Sequence, residues 1–400
     1  MTSPSVSRQI ESLQRAMGPF IEFVTQSSYA RARAATDRFM ADFVAGNPQE
    51  MALPGFVEAL RRWSVPRDKD WFSYKTIDRG AQQAAAASLT AKLGLTFEPD
   101  DIFLARGAGG ALAVALRTVV DPGDEVVFVS PPWFFYEAMI IAAGAAPVKV
   151  RIDEATFDLD VDAIARALSP RTRAVVINTP HNPTGKIYPK DTLTRLAAEL
   201  ADAGERNGRP IYLLSDEAYN RILFDDQTFF SPGLVYPYTF LIQTYSKTAL
   251  APGQRLGCIA LPPTMPDREA VRRAMLLVAF GHGYLLPDAV MQYALADIDA
   301  LSIDLKHLER KRDRVVKALR EQGYHLHVPA ATFYLLPKSP VPDDRMFTEM
   351  LASRDVFVLP GTAVEMPGYF RLSLTATDEM IDFALPQFAS ALGEVVTKTR

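Results

Sequence analysis

Short apolar runs alternate with polar turns and helical stretches from about residue 101 onward. Five runs share this character: DIFLA ending at Ala105, EVVFVS ending at Ser130, RAVVINT ending at Thr179, PIYLLSD ending at Asp216 and YTFLIQT ending at Thr244. Continuous apolar strands separated by helices are typical of a parallel sheet that is covered on both faces. The pattern therefore predicts an α/β large domain of three layers around a mainly parallel sheet.

The two ends of the chain do not follow this alternation. Apolar residues near the start recur at helical spacing, namely Phe20, Phe23, Val24, Phe39, Phe43 and Val44. They predict amphipathic helix over the first 45 residues, which the loop-like stretch GNPQEMALPG, starting at Gly46, then interrupts. After about Asp297 comes a charged helical stretch, LKHLERKRDRVVKALREQG, followed by the strand-like runs HLHVPA, TFYLLP, VFVLP and YFRLSL.

A helix followed by clustered strands, without the earlier alternation, predicts a smaller α+β domain. We therefore expect three parts in the chain. Residues 1–50 form an N-terminal segment that packs on the other domains, residues 51–296 form the large domain, and residues 297–400 form the small C-terminal domain.

The composition narrows the class of protein. Of the 400 residues, 48% are hydrophobic and 22% are charged, as in folded globular chains. The 43 lysines and arginines nearly balance the 47 aspartates and glutamates, and the net charge of −4 gives no support to a nucleic-acid or polybasic membrane role. The single cysteine, Cys258, excludes an intrachain disulfide and a cysteine-based metal cluster, and we expect it to be a buried packing residue. No apolar run is long enough to span a bilayer, so we expect a soluble, cytoplasmic protein.

Ligands of parallel sheets bind at the carboxyl ends of the strands, so the residues after each apolar run are the ones to examine. Gly107, Ala108, Gly109 and Gly110 follow the first run and lead into a helical stretch. Backbone N–H groups at a helix start can hold a phosphate, but a plain tight turn explains these residues equally well. PPWFFY follows the second run and places Trp133 at a strand end, where it belongs to the core or stacks on a flat ring.

The next three strand ends carry polar residues of specific types. HNPTG with Asn182 follows the third run, DEAY with Asp216 and Tyr219 ends the fourth, and TYSK with Lys247 ends the fifth, with Arg255 eight residues further on. The set contains a phosphate cradle, a ring stacker, a partner for a phenolic oxygen, a carboxylate for a ring nitrogen and an amine for an aldehyde. Pyridoxal 5'-phosphate (PLP) needs all five of these groups.

The motifs also occur in the order of a known family. Along the chain come GNP at Gly46, Tyr74, GAGGAL, PPWFFY, HNPTG, DEAY, TYSK, Arg255 and YFRLS with Arg371. This set resembles the fold type I PLP-dependent enzymes, and among them the class I/II aminotransferases, over residues 40 to 390. The resemblance implies the PLP-dependent transferase fold, with a three-layer large domain and a smaller α+β domain.

The resemblance also implies roles in cofactor binding and catalysis. Lys247 would form the internal aldimine and later move the proton, and Asp216 would pair with the pyridinium nitrogen. The phenolic oxygen would be bound by Asn182 and Tyr219, and Trp133 would stack on the ring. The phosphate would be held by Ala108, Gly109, Thr244, Arg255 and Tyr74 of the partner subunit.

The implied substrate site contains Arg371, which would hold the substrate carboxylate, together with Gly46, Trp133 and Asn182. The resemblance implies that an amino group moves between an L-α-amino acid and a 2-oxo acid by a ping-pong aldimine/ketimine mechanism, as a step of amino acid metabolism. It also implies a homodimer with shared active sites. His325 and His327 suggest a metal pair, but no third ligand is identifiable, so we expect no metal ion.

Other interpretations remain open from the sequence. A lyase or oxidase of the same fold would share the cofactor set, and a non-enzymatic PLP-binding regulator would call for a DNA-binding domain, for which about 45 residues before Gly46 leave little room. Gly109 stands where one aspartate-using subgroup carries a lysine, which argues against an acidic amino donor. A pocket for a bulky side chain, or ordinary core or interface, would explain Phe20, Tyr29, Phe280, His282 and Tyr284.

Overall fold

The structure is a computed structural model that describes residues 6–35, 39–283 and 285–399. Its described residues form α-helices that we number α1 (Arg8–Gln26), α2 (Ser28–Ala34), α3 (Pro54–Ser64), α4 (Arg79–Leu93), α5 (Gly107–Val119), α6 (Tyr136–Ala142), α7 (Val161–Ala167), α8 (Lys190–Asn207), α9 (Arg268–Gly281), α10 (Ala289–Tyr293), α11 (Leu295–Asp299), α12 (Leu305–Gln322), α13 (Asp344–Ala352) and α14 (Asp378–Thr399). The strands are β1 (Ala41–Asp42), β2 (Ile102–Ala105), β3 (Glu125–Ser130), β4 (Ala146–Arg151), β5 (Thr172–Asn178), β6 (Tyr212–Asp216), β7 (Thr239–Thr244), β8 (Gly257–Ala260), β9 (Tyr334–Leu335), β10 (Val356–Phe357), β11 (Leu359–Pro360) and β12 (Phe370–Ser373).

The largest sheet has seven strands in the order β2-β8-β7-β6-β5-β3-β4. All neighbours are parallel except β8, which runs antiparallel to both β2 and β7. The five strands predicted from the sequence are present, and β4 and β8 are additional. The sequence analysis missed β4, which is a half-exposed edge strand, and the four-residue strand β8.

Helices cover both faces of this sheet. Along β3, Val126 and Phe128 pack with α5 in one apolar cluster, whereas Val127 and Val129 pack with α7 and α8 in another. Successive side chains of a strand point to opposite faces, so a strand that is apolar throughout needs a cover on each side. The three-layer α/β fold predicted from the sequence is confirmed.

The C-terminal part has its own apolar cluster, in which α12 and α14 pack beside an antiparallel sheet of order β11-β12-β9. The run HLHVPA is not a strand, because only an isolated bridge joins Leu326 to Pro337. The run VFVLP divides into β10 and β11, which belong to different sheets. The apolar pattern therefore predicted strands in the C-terminal part but not which strands pair with each other.

The prediction of amphipathic helix over the first 45 residues is correct for α1 and α2 and wrong for residues 39–45. β1 pairs in parallel with β10, with Ala41 opposite Val356, and buries the neighbouring Phe43 and Val44 in extended chain. A four-residue spacing of apolar side chains agrees with helix, but here the backbone finds a strand partner more than 300 residues away. β1 thus attaches the N-terminal segment to the C-terminal part of the chain.

Two further expectations concern burial. Cys258 is fully buried in an apolar cluster with α4, which confirms it as a packing residue. Among the described residues, none of the helices combines the length and the apolar character that crossing a bilayer requires.

Candidate active site

The carboxyl ends of β3, β5, β6 and β7 meet at one edge of the large sheet, because these strands are parallel neighbours. The segments that follow them carry Trp133, Asn182, Tyr219 and Lys247, and β6 itself ends at Asp216. The fold therefore brings together the strand-end residues that the sequence singled out.

Asp216 is buried at the end of β6. Its Oδ2 accepts a hydrogen bond of 2.6 Å from the Tyr136 hydroxyl, and its Oδ1 accepts one of 3.2 Å from the N–H of Ala218. Burial raises the pKa of Asp216, although these hydrogen bonds and the positive charge of Lys247 act in the opposite direction. A buried carboxylate of this kind is stabilised as an anion when a cationic group is placed against it.

The HNPTG segment after β5 is fixed by hydrogen bonds within the segment and to its neighbours. The N–H of Asn182 donates to Oδ1 of Asn178 at 2.7 Å. His181 lies 2.8 Å through Nδ1 from the Thr184 hydroxyl and 3.0 Å through Nε2 from the carbonyl of Pro131. Because a carbonyl only accepts, Nε2 carries the proton. Burial lowers the pKa of His181 to about 4, so the ring stays neutral and the turn keeps one hydrogen-bonding pattern at neutral pH.

Arg371 lies on β12 of the small sheet and contacts Asn182 of the HNPTG segment. Its Nη1 donates to Oδ1 of Asn182 at 3.0 Å and its Nη2 to the carbonyl of Val44 at 2.9 Å. Its Cζ lies 4.2 Å from the ring centroid of Tyr334. The buried Nε has no hydrogen-bond partner within the described part of the chain. The guanidinium is thus oriented by three groups and retains a donor for a ligand.

Lys247 lies on the loop after β7, next to two aromatic rings. Its Nζ is 5.7 Å from the ring centroids of both Tyr219 and Phe333. Tyr219 is buried, and its hydroxyl donates to the Tyr334 hydroxyl at 3.4 Å. Burial raises the pKa of Tyr219 well above its ordinary value. The lysine amine and this phenol therefore occupy the same cleft as Asp216.

The structure changes the interpretation of the glycine-rich segment. α5 begins at Gly107 itself, so residues 107–110 form the first helical turn instead of preceding it. Ala108 and Gly109 lie in that turn, where backbone N–H groups have no partner inside the helix. Gly107 has a φ of 69°, and a Cβ there would lie 2.8 Å from Nη2 of Arg255. The missing side chain lets the guanidinium approach the helix start.

Thr244 lies beside the same helix start. It pairs with Gly257 of β8, which also pairs with Ala105 directly before α5. The Thr244 hydroxyl donates to the carbonyl of Leu256 at 3.1 Å and accepts from the N–H of Ser246 at 3.3 Å. A hydroxyl, a guanidinium and a helix N-terminus are together suited to an oxyanion such as phosphate.

Trp133 is partly buried and lies close to the first turn of α5. A Cβ on Gly109 would lie 3.5 Å from Cη2 of Trp133. The Trp133 ring meets the rings of Phe135 and Tyr136 edge-on, with centroids 4.9 and 5.7 Å apart. Trp133 also packs against the apolar cluster that contains α5, so it contacts the core and keeps part of its surface exposed.

Two of the residues singled out from the sequence are not part of the buried site: Tyr74 lies outside it and Gly46 lies at its rim. Tyr74 is 98% exposed, so it does not line the buried site of its own chain. Gly46 lies at the rim, where a Cβ would overlap the Tyr334 hydroxyl and lie 2.8 Å from Cε2 of Phe333. Only a residue without a side chain permits this close approach of the backbone.

Two functional contacts were not found from the sequence. Tyr136 lies within PPWFFY at a predicted strand end, but its contact with Asp216 was not predicted. Tyr334 belongs to β9 in another sheet, and no local pattern indicates that it faces Arg371.

The remaining aromatic and histidine residues of the sequence-based set lie on different elements of the described chain. The ring centroid of Phe20 in α1 is 4.1 Å from that of Phe134, Tyr29 hydrogen-bonds Asp42, Phe280 and His282 lie at the end of α9, and Tyr284 is outside the described residues. The described members of the set are therefore divided between α1, α2 and the end of α9. His325 and His327 lie outside any strand, and the described residues contain no group of three His, Cys, Asp or Glu side chains placed to hold a metal ion.

The donor set fits PLP. The buried carboxylate of Asp216 suits a protonated ring nitrogen, and the first turn of α5 suits a phosphate because Gly107 leaves room for Arg255. The amine of Lys247 acts electrostatically on Asp216, and the partly buried ring of Trp133 lies close to the first turn of α5. A lysine, an acid and a phosphate cradle on the carboxyl edge of a parallel sheet define the class of fold type I PLP-dependent enzymes.

Comparison with known proteins identifies the family. The profile of the family described as Aminotransferase class I and II matches residues 40–388, and the chain belongs to this family. The aspartate/prephenate aminotransferase of Thermus thermophilus is 31% identical over 361 residues, which cover 87% of this chain and 90% of that protein. A crystal structure of an amino transferase from Eubacterium rectale has a TM-score of 0.88 at 26% identity and covers 98% of this chain and 99% of that one. A single mutant of Thermus thermophilus aspartate aminotransferase has a TM-score of 0.82 at 28% identity, covering 98% and 100%.

The chain is a PLP-dependent aminotransferase, which transfers amino groups between amino acids and 2-oxo acids. These relatives favour a transferase over the lyase, oxidase and regulator that the sequence left open.

Proposed function

We propose that the strand-end residues bind the ring of PLP. Asp216 pairs with the protonated ring nitrogen, Asn182 and Tyr219 hydrogen-bond the phenolic oxygen, and Trp133 stacks on the ring face. The buried Asp216 supports this assignment, because its raised pKa reflects a carboxylate that lacks water and gains from a cationic partner.

The phosphate is bound at the start of α5 in this proposal. Its ligands are the N–H groups of Ala108 and Gly109, the Thr244 hydroxyl, the Arg255 guanidinium and Tyr74 of the partner subunit. The helix N-terminus and the close approach of Arg255 to Gly107 support this position. The exposure of Tyr74 supports its contribution to a second copy of the chain.

Arg371 binds the substrate carboxylate, with Asn182, Gly46 and Trp133 forming the rest of the substrate site. The observation that carries this function is the buried guanidinium of Arg371, held by Asn182 and Val44 while its Nε has no hydrogen-bond partner in the described part of the chain. A planar guanidinium grips a carboxylate through two parallel hydrogen bonds and thereby fixes the orientation of the attached Cα.

Lys247 then moves the proton of the substrate Cα. When bound, PLP supplies an aldehyde for the amino group and a protonated ring that accepts electron density from Cα. Asp216 keeps that ring protonated, Tyr219 stabilises its phenolic oxygen, and the Lys247 amine removes and returns the proton. With the carboxylate held by Arg371, loss of the proton is favoured over loss of the carboxylate. The reaction is ping-pong between an L-α-amino acid and a 2-oxo acid.

We extend the proposal to assembly, domains and location. The enzyme is a cytoplasmic homodimer with shared active sites, and the single cysteine agrees with a reducing compartment. Exposed apolar side chains near Tyr74, including Phe72, are suited to an interface. We assign residues 1–50 to a segment that packs on the other domains, 51–296 to the large domain and 297–400 to the small domain, and the pairing of β1 with β10 agrees with that packing.

A single-turnover experiment tests the function. Holoenzyme is mixed with one amino acid at a time, including aspartate, glutamate and phenylalanine, while cofactor absorbance is recorded and the released acid is identified by mass spectrometry. One equivalent of 2-oxo acid per site, and the reverse absorbance change when a second 2-oxo acid is added, is the expected result. Continuous release of ammonia would indicate a lyase, and consumption of oxygen an oxidase.

Lys247→Ala should abolish this turnover because it removes the amine that we assign to move the proton. Lys317→Ala is the matched control, since Lys317 is an exposed lysine on α12. Full activity in Lys247→Ala, or equal loss in both variants, contradicts the assignment.

A further inference from the structure

Tyr334 joins the two charged parts of the site. It is buried in β9, and its ring lies beneath Arg371, whose Cζ is 4.2 Å from the ring centroid. A desolvated guanidinium over an aromatic face is an attractive and orienting contact. The ring therefore packs against the guanidinium, while Asn182 and Val44 accept hydrogen bonds from its Nη atoms.

The hydroxyl of Tyr334 faces a different group. It lies 3.4 Å from the Tyr219 hydroxyl and against the backbone of Gly46, where a Cβ would overlap it. Burial acts to raise the pKa of Tyr334, but the positive charges of Arg371 and Lys247 and the hydrogen bond that Tyr219 donates together lower it. The two phenols thus differ: burial raises the pKa of Tyr219, and Tyr334 is the more acidic partner.

The direction of the hydrogen bond between Tyr219 and Tyr334 depends on whether Tyr219 donates to another acceptor. In this structure the Tyr219 hydroxyl donates to Tyr334. A hydroxyl has one proton, so a Tyr219 that donates to the phenolic oxygen of PLP must accept from Tyr334. The positive charges of Arg371 and Lys247 beside Tyr334 favour it as the donor in that reversal. A donor to Tyr219 strengthens the bond that Tyr219 itself donates.

We propose that Tyr334 is a positioning residue with two separable actions: its ring orients Arg371 for the substrate carboxylate, and its hydroxyl orients the Tyr219 hydroxyl toward the cofactor. This inference rests on the proposed function of Arg371 and Tyr219. It assigns a role to Tyr334 of β9, which lies outside the DEAY motif of Tyr219 and the YFRLS motif of Arg371.

Two substitutions separate the actions. Tyr334→Phe removes the hydroxyl and keeps the ring, whereas Tyr334→Leu removes both. Tyr324→Phe is the matched control, because Tyr324 is also buried in the C-terminal part and donates to the carbonyl of Phe388 at 2.9 Å. Thermal unfolding of each apoenzyme checks the fold.

The first readout is the pH titration of the visible absorbance of holoenzyme without substrate. Tyr334→Phe should move its midpoint upward by about 0.3 pH unit or more, because a weaker bond from Tyr219 stabilises the deprotonated chromophore less. Tyr324→Phe should leave the midpoint in place. A midpoint in Tyr334→Phe equal to that of the control overturns the action of the hydroxyl.

The second readout is the separation of KM from kcat, with an amino acid that reacts with wild-type enzyme. Tyr334→Leu should raise KM about tenfold through loss of the guanidinium contact, and Tyr334→Phe should keep the wild-type KM. A wild-type KM in Tyr334→Leu overturns the action of the ring, and a KM raised equally in Tyr334→Phe overturns the separation. Failure of the wild-type enzyme to transfer amino groups would reject the proposed function instead, while the absorbance titration still tests the hydroxyl.

Discussion

The hydrogen bond between Tyr136 and Asp216 offers a direct test of how this protein sets the charge of its buried carboxylate. Both side chains are buried, and the hydroxyl of Tyr136 lies 2.6 Å from Oδ2 of Asp216. Burial raises the pKa of Asp216, and this bond is the largest of the effects that oppose it. Tyr136→Phe removes the donor and keeps the ring. We expect the pKa of Asp216 to rise further.

The expected size follows from the contact. A hydrogen bond to a charged group contributes roughly 1.5–3 kcal/mol, and one pKa unit corresponds to about 1.4 kcal/mol. Loss of the bond should therefore raise the pKa of Asp216 in the apoenzyme by roughly 1–2 units. Only the ionised carboxylate pairs with a protonated ring nitrogen, so cofactor binding should weaken below the new pKa and remain closer to wild type above it.

PLP affinity measured against pH is the assay. The acid-side midpoint of the affinity profile should move upward by roughly 1–2 units in Tyr136→Phe. Tyr236→Phe is the matched control, because the buried Tyr236 hydroxyl also donates at 2.6 Å, to the carbonyl of Ile211 away from the site. If the Tyr136→Phe and Tyr236→Phe profiles have the same acid-side midpoint, the reasoning about Asp216 is wrong.

Three further substitutions test other parts of the site. Arg371→Lys removes the guanidinium that Asn182 and Val44 hold, and with it the two charge-assisted hydrogen bonds proposed to the substrate carboxylate. Loss of those two bonds should reduce kcat/KM about 10²–10⁴-fold. An unchanged dependence of the single-turnover rate on amino acid concentration contradicts this. Burial raises the pKa of Glu217 to about 7, so the stability from its protonated form is complete below its unfolded pKa and is lost as pH rises through 7. The thermal unfolding temperature of the apoenzyme should therefore fall between pH 5 and pH 8 by more in wild type than in Glu217→Gln. Parallel curves of this temperature against pH would refute the reasoning. Gly107→Ala should displace Arg255 and lower PLP affinity about tenfold or more, with exposed Gly393→Ala as a control expected to bind normally.

Much of the site could be predicted because its residues follow strands. An apolar run predicts a strand from a few neighbouring residues, and parallel strands place the residues after their carboxyl ends together. Asn182, Asp216 and Lys247 could therefore be chosen without knowledge of the contacts between them. The glycine-rich segment was found in the same way, although α5 begins earlier than expected and includes it.

Other features depend on partners that no local window contains. Phe43 has the spacing of a helix, but β1 pairs with β10 and the chain there is extended. The antiparallel β8 is four residues long, and its direction follows from the neighbours on both sides.

The sequence by itself determined the alternation of strands and helices, the chemistry of the strand ends and the family resemblance, because each depends on short-range pattern and residue type. Only the tertiary structure decided how Arg371 meets Asn182, 189 residues away, and how Tyr136 and Tyr334 contact Asp216 and Tyr219. The physical reason is that side-chain orientation in a buried site is set by packing between elements distant in sequence, where each group must find a partner once water is excluded.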